Sequence, residues 1–210
     1  MSGPPLLRLA GDSPEALLCA FLEVAAAGGL LIFPTDTVYG LAARADSPEA
    51  VQALFDVKQR PAHLALPVLV GDRQGLERVV ASWPPVAEAL ASAFWPGPLT
   101  LVLPRRPDLA PRVTGGRDSV GVRLPDHPAL ASWLAACPFP LAVTSANRSG
   151  EPEAATLAEI PAELRSAVAL IVDGGPCPGG QPSTGVDLTG DAPRVLRPGP
   201  ITEAQILARL

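Results

Sequence analysis

One lysine, one tyrosine, two histidines and three cysteines are all that the 210 residues hold of those types. Cys19, Cys137 and Cys177 are odd in number and far apart, with no C-x-x-C pair. That excludes a disulfide frame and a zinc site, and fits a reducing, cytoplasmic setting. His63 and His127 complete no metal cluster with them, so no metal held by protein side chains is expected. Neither histidine stands in a nucleophile–base pattern; His127, in Pro125-Asp126-His127-Pro128, reads as a helix start. There is no G-x-x-x-x-G-K-[ST] and no G-x-S-x-G, which excludes a P-loop and a nucleophile elbow. No apolar run approaches the ~20 residues that span a bilayer, so no membrane role is expected. The first ten residues are too short and too Pro-rich for a signal peptide.

What is present is a globular composition, 48% hydrophobic and 18% charged, with 26 prolines and 19 glycines spread throughout. No low-complexity linker or repeat divides the chain, and one domain over 1–210, with a core at about 12–205, is expected. The net charge of −5 argues against a protein that coats nucleic acid. Arg105, Arg106, Arg112, Arg117 and Arg123 nevertheless cluster against only Asp108 and Asp118. Local cationic ground on an acidic body suits a small anionic ligand.

Ser13-Pro14-Glu15 combines an N-cap, a proline at the first helical position and an acidic first turn, so a helix should run from there to Gly28-Gly29. Ser47-Pro48-Glu49 repeats the signal for a helix to about Lys58. Further helices are expected at about 73–80, 85–94 and 127–136. The short apolar runs 30–33, 67–70, 99–103, 120–124, 141–144, 169–172, 184–188 and 194–197 read as strands. Helices and strands alternate early and strands cluster later, which predicts an α/β fold with a twisted mixed open sheet covered by helices.

Four polar segments adjoin these elements, where catalytic groups tend to sit. Pro34-Thr35-Asp36-Thr37-Val38-Tyr39-Gly40-Leu41 follows the first buried strand. Lys58-Gln59-Arg60-Pro61 holds the single lysine, beside fifteen arginines elsewhere, at a helix end where cations also complement the macrodipole. Thr144-Ser145-Ala146-Asn147-Arg148-Ser149-Gly150 offers small residues with free backbone N–H groups. The fourth combines the run Gly174–Gly180, Ser183-Thr184 and Arg197-Pro198-Gly199. Hydroxyls, amides, guanidinium groups and one ammonium suit phosphate and carboxylate binding, with catalysis by positioning and charge neutralisation.

Six segments in this order and spacing, Phe33–Leu41, Lys58-x-Arg60-Pro61, Phe94–Thr100, Gly121–Pro125, Thr144–Asn147 and Arg197–Gly199, resemble the YrdC-like domain family in its single-domain form. The resemblance implies a concave, positively lined cavity in the sheet. It implies a nucleotidyltransferase: L-threonine, bicarbonate and ATP, with Mg²⁺, give threonylcarbamoyl-AMP and pyrophosphate. Downstream transfer proteins would then carry the group to adenosine 37 of tRNA. By position, the resemblance assigns Thr37, Arg123, Val143 and Ser183 to threonine. It assigns Arg60, Ser119, Ser145, Asn147, Glu153 and Arg197 to ATP; Lys58 and Arg60 are expected to be catalytic, neutralising charge as two anions meet. Leu64, Ala65, Leu69 and Gly185 depart from the family pattern. Two alternatives stand beside it: a double-stranded RNA or ribosome-associated module without catalysis, and a carbamoyl-transfer domain of the hydrogenase-maturation type. A weak contact with tRNA or double-stranded RNA is expected beside the small-molecule substrates and the transfer proteins.

Overall fold

Both Ser-Pro-Glu signals start helices. In the computed structural model, α1 (Pro14–Ala26) is capped by Ser13, whose Oγ accepts from the Ala16 N–H at 3.1 Å. α2 (Pro48–Lys58) is capped in the same way by Ser47. The structure describes residues 3–210; Met1 and Ser2 of the expected 1–210 unit lie outside the described residues. The other helices are α3 (Arg73–Glu77), α4 (Pro85–Phe94), α5 (Pro128–Ala136), α6 (Ala162–Ala167) and α7 (Glu203–Leu207). His127 caps α5, its Nδ1 accepting from the Leu130 N–H at 3.3 Å, and burial pushes its pKa down.

The strands are β1 (Leu6–Arg8), β2 (Leu31–Phe33), β3 (Gly40–Arg44), β4 (Val68–Leu69), β5 (Leu99–Pro104), β6 (Ser119–Arg123), β7 (Leu141–Ser145), β8 (Leu170–Asp173), β9 (Thr184–Asp187) and β10 (Arg194–Arg197). They form one sheet in the order β1-β8-β2-β3-β7-β4-β6-β5-β9-β10, mixing parallel and antiparallel pairs. The twisted mixed α/β sheet is therefore present. The structure differs from the sequence reading in several elements, α6 and α7 among them, for which no helix was expected. The expected 73–80 helix stops at Glu77, and the edge strand β1 was not expected. β3 emerges directly from the 34–41 segment, where Gly40-Leu41-Ala42-Ala43 lacks the β-branched residues that mark a strand.

Strand alternation sorts the side chains cleanly. Ile32, Leu41, Val68, Leu101, Val122, Ala142 and Val186 point to one face, into a core completed by Leu54, Phe55 and Leu90. On the other face Leu31, Phe33, Leu141, Leu170 and Val172 meet α1 and α5 through Phe21, Trp133 and Leu134. Phe21 lies 5.7 Å from Phe33 and 5.2 Å from Trp133 between ring centroids, tilted as aromatic pairs prefer. Burying each such ring contributes ~2–3 kcal/mol. α1 and α5 cover only part of this second face. Leu69 and Val143 are buried at the end of this cluster, and beyond them the same face of the sheet lines a cavity.

Candidate active site

This cavity, of about 570 Å³, opens on that face of the sheet. Its floor alternates with the core: Thr100 and Val102 from β5, Gly121 and Arg123 from β6, Val143 and Ser145 from β7, Gly185 from β9. Gly121 keeps the floor low, because a Cβ there would lie 3.1 Å from Thr100 Cγ2. Nine polar or charged residues are buried among those described, and Thr35, Thr37, Lys58, Thr100, Arg123, Asn147 and Ser183 all line this cavity. Burying polar groups is costly unless they are paired, so such concentration marks a built site rather than a surface dent. A smaller hollow of about 430 Å³ around Arg78 and Phe139 has no buried charged side chain.

α2 ends by delivering Lys58 to the cavity. The next residue, Gln59, takes the left-handed conformation at φ 52 and ψ 43, and Arg60 follows. Lys58 is 2% exposed, and its ammonium donates to three oxygens: Ser145 O at 2.5 Å, Asn147 O at 2.7 Å and Asn147 Oδ1 at 2.8 Å. An ammonium has three N–H donors, so all are engaged. The Ser149 N–H returns a bond to the Lys58 carbonyl at 3.2 Å, and Asn147 Nδ2 donates to Glu151 O at 2.5 Å. Lys58 thus pins the loop after β7 from beneath. Burial first, then the charge of nearby Arg60, lower its pKa to about 7 against the opposing pull of Glu153.

Arg123 leaves the end of β6 with 6% exposure, and burial lowers its pKa against the pull of Asp36. Its Nε donates to Gly97 O at 2.9 Å, Nη1 to Thr37 Oγ1 at 2.9 Å and Nη2 to Asp36 Oδ1 at 2.5 Å. Three of its five donors are spent in fixing the guanidinium plane, and two N–H groups remain. Thr37 in turn shares a 2.9 Å hydroxyl contact with Thr35, whose oxygen accepts the Thr37 and Val38 N–H groups. The glycine loop buttresses this turn: Gly180 N donates to Thr37 O at 2.8 Å, and a Cβ on Gly179 would lie 2.6 Å from Asp36 O. Buried Tyr39 anchors that loop, its hydroxyl donating to Gly175 O at 2.9 Å and accepting from Gly174 N at 3.2 Å.

Arg60 crosses the opposite wall. Its Nε and Nη2 donate to the Leu64 and Ala65 carbonyls at 3.1 and 2.8 Å, so it uses backbone where the sequence departs in side chains. Burial lowers its pKa, and the charge of Arg197 lowers it further. Two guanidinium groups that repel one another across a hollow favour an anion between them. Arg197 sits at the exposed rim, donating through Nε to Ser183 O at 2.9 Å and through Nη2 to Ser183 Oγ at 3.0 Å. Glu151 and Glu153 add carboxylates to the same wall.

Of the residues singled out in the sequence, Thr37, Lys58, Arg60, Arg123, Val143, Ser145, Asn147, Glu153, Ser183 and Arg197 come together around this one cavity. Lys58 and Arg123 open into the same hollow. Ser119 does not join them; it starts β6 opposite Pro104, on the face of Gly121 and Arg123 but outside the lining. Leu64, Ala65, Leu69 and Gly185 all line it. Sequence reasoning missed Thr100 and the pairing of Asp36 with Arg123. The one available signal was that each lies inside a quoted motif. No group of three or more His, Cys, Asp or Glu side chains among the described residues could hold a metal by itself.

A mixed ten-stranded sheet with a hydroxyl- and guanidinium-lined hollow on one face defines an α/β protein with a candidate ligand site. The Sua5/YciO/YrdC family model, described as "Telomere recombination", matches residues 23–199, and the chain belongs to this family. Threonylcarbamoyl-AMP synthase of Bacillus subtilis is 42% identical over 180 residues, covering 85% of this chain and 52% of that protein. A putative threonylcarbamoyl-AMP synthase of Mycobacterium tuberculosis is 42% identical over 180 residues, 86% of this chain and 82% of that one. The crystal structure of P. abyssi Sua5 complexed with L-threonine superposes with a TM-score of 0.91 at 35% identity, covering 100% of this chain and 61% of that chain. The chain thus spans about half the length of the Bacillus subtilis relative.

Proposed function

We propose that this chain is a threonylcarbamoyl-AMP synthase, a nucleotidyltransferase that joins L-threonine, bicarbonate and ATP with release of pyrophosphate. The observation that carries the reading is the convergence of separated polar segments on one cavity, in a chain whose relatives bear that name. The threonine amine attacks the bicarbonate carbon and water leaves, giving a carbamate. A carbamate oxygen then attacks the α-phosphorus of ATP, and the bond to pyrophosphate breaks.

In this reading Arg123 receives the α-carboxylate with its two unspent N–H groups, beside Thr37, Ser183 and the backbone of Val143. Arg60, Arg197, Ser145 and Asn147 face the nucleotide, with Glu153 at the edge of the set. Ser119, outside the lining, is left out of it. The main barrier is the approach of one anion to another. Lys58 acts on it as a fixed charge beneath the Ser145–Asn147 loop rather than as a free hydrogen-bond donor, since its donors are all engaged. Losing one such charge-assisted contact costs ~2–4 kcal/mol, or about 30- to 800-fold in rate. The carboxylates of Glu151 and Glu153 fit a magnesium ion that arrives on the triphosphate, which needs only one or two protein oxygens. That ion supplies neutralisation of the phosphate oxygens.

The chain works as one unit in the cytoplasm, handing its labile adenylate to threonylcarbamoyl-transfer proteins that act on tRNA. No helix among the described residues is long and apolar enough to cross a membrane. The RNA-binding alternative is not favoured, because the similar relatives carry the synthase name. Pyrophosphate release should require all three substrates; release that persists without threonine or without bicarbonate refutes the assignment.

A further inference from the structure

We propose that Thr100 is a positioning residue for the amino-acid substrate, acting by aiming the hydroxyl of Ser183. The inference deepens the proposed function and rests on its assignment of Ser183 to threonine.

Thr100 and Ser183 are 6% and 4% exposed, and both line the cavity. Their hydroxyl oxygens lie 2.7 Å apart. The parallel pairing of β5 with β9 brings them together, setting Leu99 beside Thr184 and Thr100 beside Gly185. Ser183 Oγ has a second neighbour, Arg197 Nη2 at 3.0 Å, and a guanidinium can only donate. One lone pair of Ser183 is therefore filled from the rim.

The proton count follows. If Thr100 donates to Ser183, both Ser183 lone pairs are filled and its own proton has nowhere to turn but the cavity. If Ser183 donates to Thr100, the Thr100 proton is the one left over. Either way the pair presents one unspent hydroxyl proton on a wall where two residues share the aim. Thr100 is suited to this task because its χ1 is stiff, and its Cγ2 sits over Gly121, where a side chain would collide. Without the Thr100 hydroxyl, Ser183 regains a free lone pair and its rotor is released. The substrate then meets a donor that must be ordered on binding.

The test uses the full chain and five proteins: the parent, Thr100→Val, Ser183→Ala, the double variant, and Thr100→Ser as the conservative rescue. Threonine affinity is read by calorimetry, and threonine and ATP KM by pyrophosphate release; melting curves confirm folding. Thr100→Val should weaken threonine about tenfold while ATP KM stays within about twofold, and Thr100→Ser should recover it. In the Ser183→Ala background Thr100→Val should add almost nothing, as expected of a residue that acts through Ser183. If Thr100→Val does not fold, Thr100→Ala takes its place in the same cycle. Threonine affinity unchanged in the Thr100 variant, or effects that add in full, overturns the proposal and leaves the synthase reading intact. A parent chain that binds no threonine overturns both.

Discussion

Titration from about pH 6 to about pH 9 acts on one cation of the cavity above the others, the Lys58 ammonium, and its effects on rate and on stability run in opposite directions. Burial, then the charge of Arg60, lower its pKa from 10.5 to about 7 against the pull of Glu153. That distance places a penalty of roughly 5 kcal/mol on the charged form relative to water. Between the two values the unfolded chain binds a proton that the folded chain has released. This group's contribution to stability is therefore full above 10.5 and lost as pH falls through about 7. Turnover changes the other way. A neutral amine has two N–H donors for the three oxygens of Ser145 and Asn147, and it carries no charge toward the phosphates. Above about pH 7, kcat/KM should fall about tenfold per pH unit. The fall in kcat should start at higher pH, because bound ATP favours the ammonium. The assay is pyrophosphate release across pH with melting temperature in the same buffers, and Lys58→Met should give a low, flat profile. A wild-type profile flat across this range, or a fall in rate that tracks a fall in melting temperature, refutes the role given to Lys58.

Three further outcomes follow from the other half of the cavity. Asp36→Asn leaves Arg123 buried without its counter-charge, and should lower stability by ~3 kcal/mol in denaturant melts and weaken threonine more than tenfold. Gly179→Ala drives a Cβ against the Asp36 carbonyl, so threonine KM should rise more than ATP KM, with a stability loss of ~1–3 kcal/mol. Tyr39→Phe removes the hydroxyl that joins Gly174 and Gly175, and should cost ~1–3 kcal/mol, read by thermal melting at unchanged secondary structure.

Local chemistry was legible in the sequence wherever it is written locally. Ser13 and Ser47 announced their helices because an N-cap, a proline and an acidic residue occupy successive positions. The buried strands β2, β7 and β8 announced themselves through continuous apolar runs, and His127 as a cap rather than a base. β1, α6 and α7 were not visible, being a three-residue edge strand and helices of six and five residues whose periods are too short to detect. The site was readable as a set of residues but not as a set of bonds. Three carbonyl-type oxygens closing on Lys58, and Asp36 closing on Arg123, join positions about 87 residues apart. Thr100 and Ser183 meet only through the register of β5 on β9, which no spacing in the chain encodes.

The left-handed residue between the two cations has a consequence for what the chain tolerates. On an unbroken helix, side chains two positions apart point about 200° away from each other, so Lys58 and Arg60 would diverge. The reversal at Gln59 is what lets a lysine from a helix end and an arginine from the next loop serve the same chamber. Glycine or asparagine should be accepted at this position. Valine or isoleucine, which resist that backbone geometry, should turn one cation outward and silence the protein without touching either charge.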